Sequence, residues 1–277
     1  MARGVEYKSL DDIRAMRRAG LVVAEVHQAL RAAAKPGVTT AELDDISAAT
    51  IADAGATSNF YGYHGFPATV CISVNEEIVH GIPGPRVLEP GDVVSFDCGA
   101  VVDGWHGDAA FTVVLGEESD VDPGDLALSR VTEEAMWDAI AALATGRKLD
   151  VVGAAVEDAV ARAEAAGEGP YGIIEDYVGH GIGSEMHQPP DVLNYRTSQR
   201  AMKLRPGLCL AVEPMITRGG ITSHTLADEW TVVTDDGSRA AHWEHTVAIT
   251  DSGISVLTAP DGGAAELGRR GVDITKL

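Results

Sequence analysis

The chain has 277 residues, of which 45 % are hydrophobic, and a formal net charge of −21 at pH 7. That composition builds a compact core and excludes a disordered chain, while the charge argues against nucleic acids and membrane surfaces as partners. Three cysteines, Cys71, Cys98 and Cys209, cannot all pair with one another. With no apolar leader and no apolar run long enough to span a bilayer, they lead us to expect a reducing, cytoplasmic location.

Ser9 and Asp12 have the spacing of a capping box. Ile13, Met16, Ala19, Val23, Val26 and Leu30 then recur at helical intervals until Lys35-Pro36-Gly37, which predicts a first amphipathic helix. Thr39 or Thr40 caps a second helix through Leu43, Ile46 and Ile51, ending at Gly55. Over residues 68–115 the texture turns to β, with VCISV, GDVVSFDCG and AAFTVVLG set between Gly and Pro turns. Helical spacing returns over 129–143 and 149–166, and a second β-rich stretch covers 177–257. Residues 259–277 read as a polar C-terminal tail.

The order of helices followed by strands thus occurs twice. Leu88-Glu89-Pro90-Gly91 precedes Asp97 by the same interval at which Leu204-Arg205-Pro206-Gly207 precedes Glu213. We read residues 1–258 as one α+β domain built by internal duplication, with pseudo-repeats of about 10–118 and 122–257 facing a central cleft.

Asp103-Gly104 is a strong two-residue hairpin signal. Counting back from it, Val102 faces Trp105 and Gly99 faces Asp108, so Asp97, two residues from Gly99, points the same way as Asp108. Either acid alone reads equally well as a solvent-facing residue, whereas two on one face suggest a site. His180 stands between Gly179 and Gly181, and His187 follows before Gln188-Pro189-Pro190; a lone strand histidine is more often a satisfied core or surface residue than a ligand. Glu213 interrupts an apolar strand, and Glu244 lies on what reads as the second arm of a hairpin turning at Asp236-Gly237. Buried carboxylates need neutralising. One histidine with four carboxylates suits a pair of hard or borderline divalent cations better than a structural zinc site.

Together, Val79-His80-Gly81-Ile82-Pro83, the Asp97/Asp108 pair, Gly179-His180-Gly181-Ile182-Gly183, Met186-His187, Glu213-Pro214-Met215 and Glu244-His245-Thr246 resemble the type I methionine aminopeptidases of bacteria. The resemblance spans about residues 10–257. It implies the pita-bread fold, a pseudo-twofold arrangement with a curved antiparallel sheet, flanking helices and a central dinuclear metal cleft. The implied metal ligands are Asp97, Asp108, His180, Glu213 and Glu244, with Asp108 and Glu244 bridging two divalent ions. Co²⁺, Mn²⁺ or Fe²⁺ fit best, with Zn²⁺ and Ni²⁺ as further candidates. Glu213 would relay a proton, His187 would stabilise the scissile carbonyl and His80 would contact the scissile amide. Tyr63, Phe66, Cys71 and Trp230 would line the methionine pocket, with Phe60 and Met186 as additional candidates; each of these reads equally well as core. Two positions depart from the pattern: Gln188 replaces a glutamate often seen there, and Met186 replaces an aromatic. The short interval between His187 and Glu213 leaves no room for the helical insertion of the type II enzymes.

The implied activity is removal of the N-terminal methionine from nascent proteins and peptides, preferring a small second residue. The partners expected are nascent N-termini and, transiently, the ribosome, with the enzyme acting as a monomer. The rivals are a prolidase-like Xaa-Pro peptidase, since fold and metals do not fix substrate, and a non-catalytic binding protein of the same fold.

Overall fold

The structure is a computed structural model that describes residues 4–117, 119 and 121–277. Helix α1 (Leu10–Ala33) starts on the expected capping box: the Ser9 hydroxyl accepts from the Asp12 N–H, and the Asp12 carboxylate accepts from the Ser9 N–H. Helix α2 (Thr40–Asp53) repeats the device with Thr39 and Glu42. Helix α3 spans Pro123–Thr145, beginning six residues before the expected 129. Its start is set by Asp122, whose carboxylate accepts from the Gly124 N–H, and by Pro123 in the first turn; this capping signal lies outside the apolar periodicity. Helix α4 (Val151–Ala165) packs against α3.

The main sheet has nine strands among the described residues. Its path runs Thr57–Ser58, Val93–Val102, Trp105–Val114, Glu244–Thr250, Cys209–Val212, Gly179–Gly181 and Gln188–Val192. Val70–Val74 is added beside Val93–Val102, and Gly253–Val256 beside Glu244–Thr250. At its centre Trp105–Val114 pairs with Glu244–Thr250, through Glu244 opposite Ala110 and His245 opposite Ala109. Outward from that seam the two halves mirror one another: Val93–Val102 then Val70–Val74 on one side, Cys209–Val212 then Gly179–Gly181 on the other.

The expected Asp103-Gly104 hairpin is present, with Val102 opposite Trp105 and Gly99 opposite Asp108. Both turn residues have positive φ, 51° and 81°, as a type I′ turn requires. The turn at Asp236-Gly237 does not join a hairpin. Val232–Thr234 pairs with Glu77–Val79 and Ser223–Thr225, while Ala240–His242 pairs with Met215–Thr217, so the two arms enter different small sheets. Non-local pairing overrides the local turn signal here. Residues 259–277, expected as a polar tail, carry helix α5 (Ala264–Arg269) and bury Leu267 in the main core. Among the described residues no helix is long and apolar enough to cross a membrane.

The core lies between this sheet and the helices. Phe96 stacks on Phe111 with centroids 5.1 Å apart, below the buried Val23, Val26 and Leu30 of α1. Helix α1 approaches the sheet closely through glycine. A Cβ on Gly20 would stand 2.2 Å from the Leu257 carbonyl oxygen. Next to it, the Arg17 guanidinium donates to the backbone carbonyls of Val256, Leu257, Ala259 and Pro260. Two effects oppose one another in Gly20→Ala: alanine favours a helix interior by about 0.5–1 kcal/mol, and overpacking against rigid backbone costs about 1–3 kcal/mol. Packing should win, lowering Tm by about 2–4 °C per kcal/mol of net loss. Thermal unfolding checks this; an unchanged or raised Tm would mean that α1 and Leu257 are not in tight contact.

Candidate functional site

The expected acids meet because strand alternation places them on one face. Asp97 lies two residues from Gly99, and Gly99 is the register partner of Asp108. Across the seam, Glu244 sits opposite Ala110, two residues from Asp108. Thr246 fastens this junction: its hydroxyl donates to the Asp108 carbonyl at 2.8 Å and accepts from the Asp108 N–H at 3.1 Å. Glu213 follows the strand Cys209–Val212, and its carbonyl accepts from Asn194 Nδ2 at 3.1 Å.

His180 reaches the cluster from a strand squeezed between two others. A Cβ on Gly179 would meet the Ala211 carbonyl oxygen at 2.3 Å, and one on Gly181 the Pro189 carbonyl oxygen at 2.4 Å. The flanking glycines are therefore needed for the strands to close. His180 Nδ1 lies 3.0 Å from the Gly181 carbonyl, which can only accept, so Nδ1 carries the proton of the neutral ring. Nε2 presents its lone pair toward the cluster, 3.3 Å from Glu213 Oε1.

Asp108, His180 and Glu244 each offer a ligand atom within 4.8 Å of the others, and Glu213, His242 and Glu244 form a second such group. Asp97 falls outside both groups but lines the same cavity. Asp97 Oδ1, Asp108 Oδ1 and Glu244 Oε1 are buried with no hydrogen-bond partner. Oxygens left bare in this way fit a divalent cation, which would supply the missing interaction. Burial, reinforced by the neighbouring carboxylates, pushes Asp97, Glu213 and Glu244 well above the usual carboxylate range; burial takes Asp108 to about 7. The imidazoles move the other way, His180 to about 3 and His80 to about 4, again chiefly through burial. They are neutral near pH 7.

A cavity of about 240 Å³ opens directly on the acids, walled on its apolar side by Phe60, Tyr63, Phe66, Cys71, Met186 and Trp230. All six expected pocket residues are thus gathered in one place. Phe66 meets Trp230 edge-on with centroids 5.0 Å apart. His187 stands at the mouth, its ring 4.4 Å from that of His180, and its Nδ1 lies 2.8 Å from Tyr63 Oη. His80, on a residue with φ of 61°, packs against Tyr177 and Trp230. A second space of about 450 Å³ continues from the same acids past His80 and His242 toward Tyr177, Pro189 and Asp191.

Sequence reasoning missed His242. It is 2 % exposed and lies opposite Met215, two residues beyond Glu213, with its Nε2 3.5 Å from Glu213 Oε2. The available signal was its position two residues before Glu244. Asn194 and Thr246 were also missed, because their role is visible only through the backbone they hold.

Comparisons with known proteins identify the family of the chain. The model of metallopeptidase family M24 matches residues 14–251. Methionine aminopeptidase 1 of Mycobacterium tuberculosis is 49 % identical over 92 % of this chain and 96 % of its own length. Methionine aminopeptidase 1 of Bacillus subtilis is 42 % identical over 91 % and 98 % respectively. The crystal structure of methionine aminopeptidase from Rickettsia prowazekii superposes with a TM-score of 0.86 at 33 % identity, covering 92 % of this chain and all of that one. The architecture is the pita-bread fold, and the neutralisation that the clustered carboxylates require is the divalent-metal binding of that family. With near full-length matches of this kind, neither the prolidase-like nor the non-catalytic alternative is favoured, and the chain belongs to the methionine aminopeptidases of metallopeptidase family M24, hydrolases that remove an N-terminal methionine.

Proposed function

We propose that this chain excises methionine from nascent polypeptides and peptides whose second residue is small, and that Asp97, Asp108, His180, Glu213 and Glu244 hold two divalent ions, of which Mn²⁺, Fe²⁺ or Co²⁺ suit the oxygen-rich donor set best. The observation that carries this reading is the opening of one apolar cavity directly onto bare, buried carboxylate oxygens. When bound, the ions supply Lewis acidity and lower the proton affinity of a water. Glu213 accepts a proton at a carboxylate oxygen and returns it to the leaving amine. Tyr63 Oη and His187 Nδ1 are 2.8 Å apart; with the hydroxyl as donor in this pair, Nε2–H would be free to donate to the scissile carbonyl as negative charge develops there. His80 contacts the scissile amide. Phe66, Cys71, Met186 and Trp230 enclose the thioether side chain, a soft group that packs well against aromatic edges. The second space, beyond His80, receives the rest of the peptide.

Residues 1–258 act in this reading as one catalytic unit of two pseudo-repeats; the mirrored strand order supports it. We place the enzyme in the cytoplasm as a monomer that meets N-termini at the ribosome. Three buried free cysteines suit a reducing compartment.

Three outcomes are expected. Chelation should abolish release of methionine from a Met-Ala-Ser peptide and lower Tm, with Mn²⁺, Fe²⁺ or Co²⁺ restoring both; full turnover by thoroughly metal-free protein would end the reading. Met-Ala-Ser should be cleaved far faster than Met-Lys-Ser or Ala-Pro peptides, and comparable kcat/KM values would contradict the assigned pockets. His187→Ala should lower kcat by about 10²–10³ at unchanged metal content. His180→Ala should instead lose an ion and recover partly in excess metal. Loss of metal from His187→Ala would move that residue into the ligand set.

A further inference from the structure

The two oxygens of Glu213 face different imidazoles. Oε1 lies 3.3 Å from His180 Nε2, and Oε2 lies 3.5 Å from His242 Nε2. His180 has its Nδ1 proton fixed by the Gly181 carbonyl, so it turns a lone pair toward the cluster. For His242 the requirement is reversed. Once bound cations ionise Glu213, a lone pair facing its Oε2 with no ion between them would be repulsive, whereas an N–H facing it is a charge-assisted donor.

The surroundings of His242 support a fixed donor. The residue is 2 % exposed, and its Nε2 is buried with no other partner within hydrogen-bond distance. Its backbone is locked at both ends: its N–H donates to Thr112 Oγ1 at 3.0 Å, and its carbonyl accepts from the same hydroxyl at 2.7 Å. Ser95 Oγ lies 3.3 Å from the same N–H. The strand register places it opposite Met215, two residues beyond Glu213, where it faces Oε2 while His180 faces Oε1. The gap to Glu213 exceeds normal hydrogen-bond reach by only a few tenths of an ångström, which a small rotation of the carboxylate closes.

We propose that His242 is a positioning residue whose Nε2–H holds Glu213 Oε2, fixing the carboxylate so that Oε1 remains turned toward His180 and the reacting atoms. The inference rests on the proton-transfer role proposed for Glu213. It concerns an imidazole outside the expected ligand set, although His242 also stands within ligand distance of Glu213 and Glu244. As a ligand His242 would present a lone pair at Nε2 and as a donor it presents Nε2–H, so the two roles are mutually exclusive and can be separated by experiment.

The test uses the metal-loaded protein, with bound metal measured by elemental mass spectrometry and folding by thermal melts. His242→Leu, or His242→Met should the leucine variant not fold, removes the donor. Either should lower kcat on Met-Ala-Ser by about tenfold, the worth of one lost hydrogen bond, with KM within about twofold and two ions retained. His242→Gln keeps an N–H donor at similar reach while being a poor metal ligand, and should restore most of kcat. In a Glu213→Gln background, His242→Leu should cause no further loss, because a residue acting only through Glu213 has nothing left to position; a merely structural role would add its loss again. If His242→Gln loses an ion, His242 is a ligand and the proposal is wrong. Wild-type kcat in the leucine or methionine variant would also overturn it. Full turnover by Glu213→Gln would instead remove the proton-transfer role itself, a failure distinguishable from that of His242 alone.

Discussion

Four carboxylates lining one buried cleft repel each other and resist leaving water, and each ion transferred without a partner costs several kcal/mol. Most of the architecture around the cleft can be understood as holding this cluster against its own repulsion. Asp97, Asp108 and Glu244 stand on adjacent strands of one sheet and Glu213 directly follows the next, so they cannot splay apart without breaking the ladder. Thr246 fastens Asp108 across the central seam with two hydrogen bonds, and Asn194 holds the Glu213 carbonyl. Beneath them the stacked Phe96 and Phe111 and the apolar face of α1 make the sheet rigid. The bare oxygens of Asp97, Asp108 and Glu244 are what remains unsatisfied in that arrangement, and a divalent cation supplies what is missing.

The apolar cavity opens directly on the acids, and one of its side chains also reaches the histidine at its mouth. Tyr63 lines the pocket and also bonds to Nδ1 of His187. In the proposed reading, a methionine side chain pressing on the Tyr63 ring would bear on the hydrogen-bond partner of His187, and substrate binding energy would act close to the reacting centre.

Much of this was legible in the sequence because short-range rules govern it. The Asp103-Gly104 turn fixes the register of Asp97 and Asp108, the Ser9 and Thr39 capping boxes fix the first two helices, and glycines on either side of His180 announce a close approach. Where the sequence misled, partners distant in the chain decided the outcome. Asp236-Gly237 has the local chemistry of a hairpin turn, but its arms find different strands. The 259–277 segment is polar in composition, yet Leu267, with Val272 and Ile274 packed beside it, docks it on the core. His242 is marked locally only by standing two residues before Glu244; Glu213 comes alongside through the strand opposite, and register between strands roughly 100 Å apart in contour cannot be read from composition.

The Arg17 guanidinium, with its reach to four carbonyls over residues 256–260, and the tight seating of Gly20 on Leu257 join the first helix to the last strands. Contacts at that sequence separation close only after nearly the whole chain exists, so they contribute late and make folding slow relative to a protein of local contacts. On the ribosome, the first helix waits with its apolar stripe exposed until the final strands emerge, and it is open to aggregation and to chaperone capture during that interval. An enzyme that trims the first residue of other proteins thus secures its own first helix only once residues 256–260 have been made.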